Sequence, residues 1–560
     1  MHNAHCRHPR IARLVASPYH VRMLQHDTDY ARLARKFRWR IPARLNIGVD
    51  ACDAWAARQP DRIAIFDVQP DGSIAAVSYG ALRDASNRLA NALAQRGISR
   101  GDRVAILLPQ GQHVPVAHVA NYKLGAIALP LAGLFGVDAL AFRLKDAGAS
   151  ALVTNAAGMA KIAGLRAELP GLKTLLCLDG AVGGAEDYAS ALAAASNNFT
   201  PLDTSCDDPA MMIYTSGTTG PPKGALHAHR VLLGHIPGVQ YTHEFMPQPG
   251  DRLWTPADWA WAGGLLNVLL PGLYLGVPVV ARAFEKFDPA AAFALMRDLE
   301  VRNAFIPPTA LRLMRAIDNP RQNCGFNLRT LASAGESLGA ATLAWGREVL
   351  GLTINEFYGQ TECNYVLGSC AAIGVSKPGS IGPAVPGHAV GVIDASGLPC
   401  LPGELGQIAV RRPDPAMFLA YWNQPEASAQ KFIGDWMTTG DQGFCDAAGY
   451  VTFTGRDDDV ITSSGYRIGP GEIEDCLIGH QAVAIAAVIG KPDALRTEIV
   501  KAFVVLRPDF EPSATLAAAI QNHVRTRLSA HEYPREIEFV AELPLTTTGK
   551  VIRRLLRARE

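Results

Sequence analysis

Helical and strand patterns alternate along most of this chain, and no other feature restricts its fold as much. Leu82, Ala85, Leu89 and Ala92 share one face of a helix that stops at Gly97. DRVAILLP (102–109) follows and reads as a buried strand. DALAFRLKDAGASALVT (138–154) and FALMRDLEVRNAFIPP (293–308) repeat the order of helix then strand. Such a rhythm builds helices onto largely parallel sheets, the α/β class. At 560 residues the chain is too long for one ordinary core, so two or more domains are expected. The texture changes near residue 450. GYVTFTG, VAIAAVIG (483–490) and VKAFVVLRPD (500–509) are short β-rich runs around one helix, IEDCLIGH (473–480). The expectation is therefore a large N-terminal domain of layered, largely parallel sheets with helices over 1–455. A hinge at 456–460, within the polar GRDDDV, leads to a small mobile α+β C-terminal domain over 461–560.

Composition narrows the function classes. Hydrophobic residues make up 48% and charged residues 19%, as in a globular protein rather than a disordered one. A formal net charge of +1 argues against bulk electrostatic binding of nucleic acid or acidic membranes. The ten cysteines form no C-x-x-C pair and no zinc-like spacing, which suits isolated thiols in a reducing compartment. LLNVLLPGLYLGVPVV (265–280) is the most apolar stretch, but Asn267, two prolines and two glycines interrupt it, so it reads as core. The first 26 residues hold several arginines and no acid, yet Pro9 and Pro18 break any long amphipathic helix. The cytoplasm is the expected location, with the mitochondrial matrix the alternative for a eukaryotic chain.

YTSGTTGPPKGA (214–225) carries the strongest chemical signal. PAMMIY (209–214) reads as a strand, so the loop sits at a strand end, where α/β sheets place ligands. Thr215, Ser216, Thr218 and Thr219 supply hydroxyls, Gly217, Gly220 and Gly224 free backbone N–H groups, and Lys223 supplies charge. This is not the Walker A loop, because Lys223 precedes Gly224 and Pro221–Pro222 block a helix from starting inside it. A plain surface turn explains the glycines and prolines but not four hydroxyls and a lysine within nine residues. The loops ASAGESL (332–338), EFYGQTEC (356–363), TTGD (438–441), TGRDDDVITSSGYRIGPGEIE (454–474) and PLTTTGKVIRR (544–554) are each weak alone. Glu362, for instance, suits a hard cation such as Mg²⁺ but also suits solvated surface.

Taken in order, these segments resemble the ANL superfamily of adenylate-forming enzymes. FRWRIPARLNIGVDACDAWA (37–56), SSGYRIGPGEIE (463–474), PDALRTEIVKAFVVL (492–506) and HEYPREIEF (531–539) are similar to the medium-chain acyl-CoA synthetases within it. The resemblance implies two half-reactions, with ATP, Mg²⁺ and CoA as co-reactants. A carboxylate first attacks the α-phosphorus of ATP and releases pyrophosphate. The CoA thiolate then displaces AMP from the acyl adenylate.

Carried onto this chain, the resemblance assigns Thr215 to Lys223 to the β- and γ-phosphates, and Gly335, Glu336, Phe357 and Tyr358 to the adenine site. Thr361 would face the α-phosphate, Glu362 would bind Mg²⁺, and Asp441 and Arg456 would hold the ribose. Arg467 would approach the phosphates. Lys550 would reach from the small domain to the carboxylate and α-phosphate oxygens. Asp458 matches the family's hinge residue, and Ser464, Gly465 and Tyr466 would line the CoA tunnel. Arg496 would contact CoA phosphates. Trp259, Trp261 and Gly359 would shape the acyl pocket.

Acetyl-CoA synthetases carry a tryptophan where this chain has Gly359, so an open floor and a monocarboxylate larger than acetate are expected: medium-chain, branched or aromatic. No lysine or arginine marks a second acidic group. His227 and His229 read as the start of a helix after the phosphate loop. The expected partners are a small carboxylic acid, ATP and CoA, with no nucleic acid and no integral membrane segment; monomer and homodimer both stay open. A benzoate-type aryl-CoA ligase, a loader of carrier-protein thiols, a luciferase-like oxidoreductase and a non-catalytic nucleotide sensor are the rivals. No carrier domain is expected after Lys550, and a sensor is expected to lack Lys550, Glu362 or Lys223, all of which are present.

Overall fold

The computed structural model describes residues 23–215, 221–456, 459, 461–463, 466–493, 496–528, 533–546 and 550–560. Two eight-stranded sheets dominate the larger part. In the first, the strands run in the order 363–368, 354–360, 330–333, 303–305, 253–254, 279–281, 63–68 and 74–78. Its interior pairs are parallel, and an antiparallel pair closes each edge. The second sheet runs 420–421, 224–228, 209–214, 127–130, 103–107, 151–154, 174–177 and 186–187. It is parallel from Pro209–Tyr214 onward and antiparallel at the Gly224–Ala228 end.

The expected helix–strand units appear as read. Tyr79–Gln95 buries Leu82, Leu89 and Ala92. Val137–Ala147 leads into Ala151–Thr154, and Pro289–Asp298 leads towards Asn303–Phe305. The Val137–Ala147 helix ends on Gly148 at φ 58, which an L side chain adopts with difficulty. The apolar stretch 265–275 is wholly buried, and no described helix is long and apolar enough to cross a membrane.

Beside the two largely parallel sheets, a third sheet is antiparallel. It pairs 390–393, 406–411, 436–445 and 432–433, with 451–456 added to the long strand. GYVTFTG (449–455) contributes the strand Val451–Arg456 to this sheet. Short hairpin connections allow antiparallel pairing without the crossover helix that a parallel pair needs. A fourth sheet, 466–468, 461–463, 497–506 and 483–493, takes the strand 536–539 in parallel. Pro470–Ile478 and Ala514–Arg527 cover it, burying Ile473, Leu477, Ile520 and Val524 against Val488 and Val504.

Candidate active site

Pro209–Tyr214 and Gly224–Ala228, the strands flanking the glycine-rich loop, pair antiparallel. Tyr214 pairs with Gly224, and Thr215 N donates to Lys223 O at 2.9 Å, so the loop's base is closed by backbone hydrogen bonds. The expected helix at His227 and His229 is a correction. Gly224–Ala228 returns as a strand, and the helix begins at Val231. The antiparallel ladder forces this reversal, and Gly224 fits it because a Cβ there would lie 2.8 Å from Met212 Sδ. Both histidines are buried; burial pushes His227 down to about 3 and His229 down to about 4, so both rings are neutral. Ile47 N donates to His229 Nδ1 at 3.2 Å, a structural contact. Ser216, Gly217, Thr218, Thr219 and Gly220 lie outside the described residues.

Thr361 and Glu362 occupy the turn between Ile354–Gln360 and Cys363–Gly368, where Gln360 pairs with Cys363. The Glu362 carboxylate is 7% exposed and accepts a short hydrogen bond from the Tyr421 hydroxyl. Lys223 Nζ stands 5.2 Å from the centre of the same tyrosine ring, which links the loop lysine to the carboxylate. Asp441 and Arg456 face each other by strand register, with Arg456 Nη1 3.8 Å from Asp441 Oδ1. The Tyr358 hydroxyl donates to Asp441, and Gln360 Nε2 donates to Thr439 O at 3.0 Å. Burial pushes the Asp441 carboxyl up, and the charges of Arg456 and Lys550 oppose that push.

Gly335 adopts φ 100 beside Glu336, whose carboxylate accepts from Thr309 Oγ1 at 2.8 Å and Arg312 Nη1 at 3.0 Å. Phe357 lies flat against Tyr365, ring centres 3.9 Å apart.

Lys550 is exposed on a turn where its N–H donates to Thr546 Oγ1 at 3.0 Å. Three residues on, Arg553 Nη2 donates to both Glu474 oxygens at 2.7 Å, and its Nη1 donates to Asp459 Oδ2 at 3.3 Å. Arg557 Nη2 holds the other Asp459 oxygen at 2.7 Å. These bonds tie the segment carrying Lys550 to the start of the small domain. Arg467 lies in the strand Tyr466–Ile468, paired with Thr462. Asp458, Ser464 and Gly465 lie outside the described residues. Arg496 sits at an exposed turn, its N–H donating to Asp493 Oδ1 at 2.8 Å.

Lys223, Thr361, Glu362, Asp441, Arg456 and Lys550 all open onto one cleft of about 3220 Å³. Sequence reasoning missed Lys431 on its wall. Its Nζ donates to Gln360 Oε1 at 3.2 Å and Thr438 O at 3.0 Å, and burial lowers its pKa. The available signal was its place in the hairpin that precedes TTGD.

Trp261 lines the cleft and meets Phe135 edge-on, ring centres 5.5 Å apart. Trp259 is corrected: it is 1% exposed and packs in the main core. Gly359 lines the cleft, but its missing side chain does not simply leave an open floor. A Cβ there would lie 2.5 Å from Asn364 Cα and from Tyr365 N, so the glycine is required by the close approach of two strands. Gly359→Ala should therefore lower the denaturant midpoint by the equivalent of about 1–3 kcal/mol. Gly359→Trp should lose activity on every acid instead of becoming selective for acetate, as an acid panel would record. Asp258, beside Trp261, accepts from Ala260 N at 2.9 Å, and burial pushes its carboxyl up to about 6.

Residues 52–422 match the family model described as AMP-binding enzyme, and 472–550 match its C-terminal domain. This chain belongs to the AMP-binding enzyme family. It is 34% identical over 549 residues to an acetyl-coenzyme A synthetase of Bacillus subtilis (strain 168), covering 95% of this chain and 93% of that one. It is 31% identical to the mitochondrial acyl-coenzyme A synthetase ACSM3 of Mus musculus, over 99% and 97% of the two chains. Among solved structures it is similar to the anthranilate CoA ligase AuaEII in complex with anthranoyl-AMP. That likeness has TM-score 0.85 and 29% identity, over 93% of this chain and 98% of that chain.

The site of this family member fits a magnesium ion. Among the described residues no group of three or more His, Cys, Asp or Glu side chains could hold a metal; Glu362 is a buried carboxylate on the cleft wall. Mg²⁺ is commonly held by one or two carboxylates, with phosphate oxygens and water completing the octahedron.

Glu356, on the cleft wall two residues before Tyr358, is a third perturbed carboxyl. Burial pushes it up to about 8, against a hydrogen bond from the Leu338 backbone, and Asp475 adds to the rise. Its folded pKa is above the ordinary 4.5, so between those values the folded state binds the extra proton and stability falls as pH rises. Glu356→Gln should accordingly raise the melting temperature most above pH 8, with the gain fading as pH drops to about 4.5.

Proposed function

We propose that this family member is an AMP-forming acyl-CoA synthetase acting on a monocarboxylate larger than acetate, through an acyl adenylate. The supporting observation is the cleft onto which Lys223, Glu362, Asp441 and Lys550 all open. The similar proteins named above as acyl-CoA and aryl-CoA ligases agree with it.

In the first step a carboxylate oxygen bonds to the α-phosphorus of ATP as the bond to the β-phosphate oxygen breaks. Asp441 and Arg456 hold the ribose hydroxyls, an acceptor beside a donor. Lys223 and the loop around it grip the pyrophosphate and let it leave, which a loop between two strands does more readily than a helix-mounted loop. Lys550 meets the negative charge that builds on the α-phosphate and carboxylate oxygens. Glu362 would hold Mg²⁺, which supplies charge neutralisation on the phosphate oxygens when bound.

In the second step the CoA thiolate attacks the acyl carbon and the bond to AMP breaks. Lys550 must then clear the cleft. The small domain is proposed to rotate about Asp458, bringing Ser464, Gly465 and Tyr466 to the CoA path, with Arg467 and Arg496 near phosphates. The Arg553 and Arg557 bonds to Glu474 and Asp459 favour motion of Lys550 together with its domain. The cytoplasm is the proposed location; every described cysteine is a free thiol, in keeping with a reducing compartment.

A panel of acids with ATP, Mg²⁺ and CoA tests this, read by AMP release and thioester mass. Turnover of at least one acid to a CoA thioester is expected. Acylation of a carrier protein with no CoA product would replace this reading by the carrier-loading alternative.

A further inference from the structure

The cleft contains an amide pair that an alkyl chain would leave unsatisfied. Asn267 comes from the buried segment 265–269 and Asn364 from the strand Cys363–Gly368; they are 2% and 6% exposed, and both line the cleft. Asn364 Nδ2 donates to Asn267 Oδ1 at 2.7 Å. That bond fixes which end of each amide is left over. Asn267 Nδ2 remains a donor and Asn364 Oδ1 remains an acceptor, and neither has a hydrogen-bond partner among the described residues.

Neither atom is sealed inside the protein. Glycines of the cleft wall stand beside both. A Cβ on Gly359 would lie 2.7 Å from Asn364 Oδ1, and a Cβ on Gly263 would lie 3.9 Å from Asn267 Nδ2. The absence of side chains at Gly263 and Gly359 thus leaves the free donor and the free acceptor reachable from the cleft. Trp261 and Phe305 supply apolar wall around them.

We infer that Asn267 and Asn364 determine specificity by hydrogen-bonding a neutral donor-and-acceptor substituent of the acid, a hydroxyl being the simplest. This rests on the ligase reading above and adds the class of acid to it. A hydroxyl can accept from Asn267 Nδ2 and can donate its proton to Asn364 Oδ1, so this one class of substituent suits either end. A plain alkyl or phenyl group would bury both ends without partners, which sites of this type penalise. A second carboxylate suits the pair less well: among the described residues no cation is hydrogen-bonded to either amide, and Asn364 Oδ1 would face an anion.

The test uses the full-length enzyme with matched acids, linear and aromatic, each supplied with and without one hydroxyl at successive positions. For at least one position the hydroxylated acid should show about 10-fold or greater kcat/KM over its parent. Asn267→Leu and Asn364→Leu should each abolish that preference and improve the parent acid, with the KM for ATP unchanged. Melting curves check folding; because Asn364 abuts Gly359, Asn267→Leu decides the matter if Asn364→Leu is unstable. Turnover of the parent acids with no hydroxyl preference at any position, or a preference unaltered in a folded Asn267→Leu, would overturn this inference alone. Failure of every acid, hydroxylated or not, would overturn the ligase reading beneath it.

Discussion

Lys550→Ala should lower ATP–pyrophosphate exchange by about 10²–10³-fold while thioester formation from a pre-made acyl adenylate stays near wild type. The asymmetry follows from where Lys550 sits. Lys550 and Asp441 line the same cleft, and the Lys550 charge lowers the Asp441 carboxyl pKa; in the proposed mechanism Lys550 meets the charge that builds in the first step. The side chain is exposed, and the Lys550 backbone is held by Thr546 through its N–H and its Oγ1, so truncation should leave the fold intact. Gly465→Leu should give the reverse pattern, because a side chain there would obstruct the proposed CoA path. Equal loss of both steps in both variants would contradict alternation of the small domain.

Glu362→Gln should have the next largest effect. Glutamine keeps an acceptor for the Tyr421 hydroxyl, so the buried contact survives while the negative charge is lost. Adenylation should fall about 100-fold at millimolar Mg²⁺, consistent with several kcal/mol of lost charge stabilisation. Raising Mg²⁺ should restore part of the rate, since phosphate oxygens and water would still coordinate the ion. ATP–pyrophosphate exchange measured against Mg²⁺ concentration reports both; an unchanged Mg²⁺ dependence would remove Glu362 from the metal's coordination.

The parallel part of the fold was legible because its period is local: Leu82, Leu89 and Ala92 recur on one helix face and are buried as that pattern requires. Strand-to-strand pairing is not local. The third sheet, built from segments between residues 390 and 456, could not be told from other short β-rich runs. The same limit explains His227. A strand of five residues after a loop carries no helical or strand period long enough to decide.

The pairing of Asp441 with Arg456 was legible through ordered motifs, since the two lie in TTGD and TGRDDD and meet through strand register. Lys431 was not, because it enters the site by a hairpin fold-back without a motif. The expected acyl pocket was the least legible. Trp259 and Trp261 are two residues apart in sequence, yet one enters the core and the other the cleft. Gly359 signalled an open pocket, whereas its neighbour Asn364 Oδ1 and the strand behind it impose the glycine. Nothing in the sequence pairs Asn267 with Asn364, 97 positions apart.

The central claim is that the carboxylate attacks the α-phosphorus of ATP and forms an acyl adenylate. An acid turned over by the enzyme, labelled with ¹⁸O in its carboxyl group, tests this directly by mass analysis of the products. The mechanism predicts one ¹⁸O transferred to AMP and none to pyrophosphate. Label in inorganic phosphate with release of ADP, or AMP free of label, would contradict it.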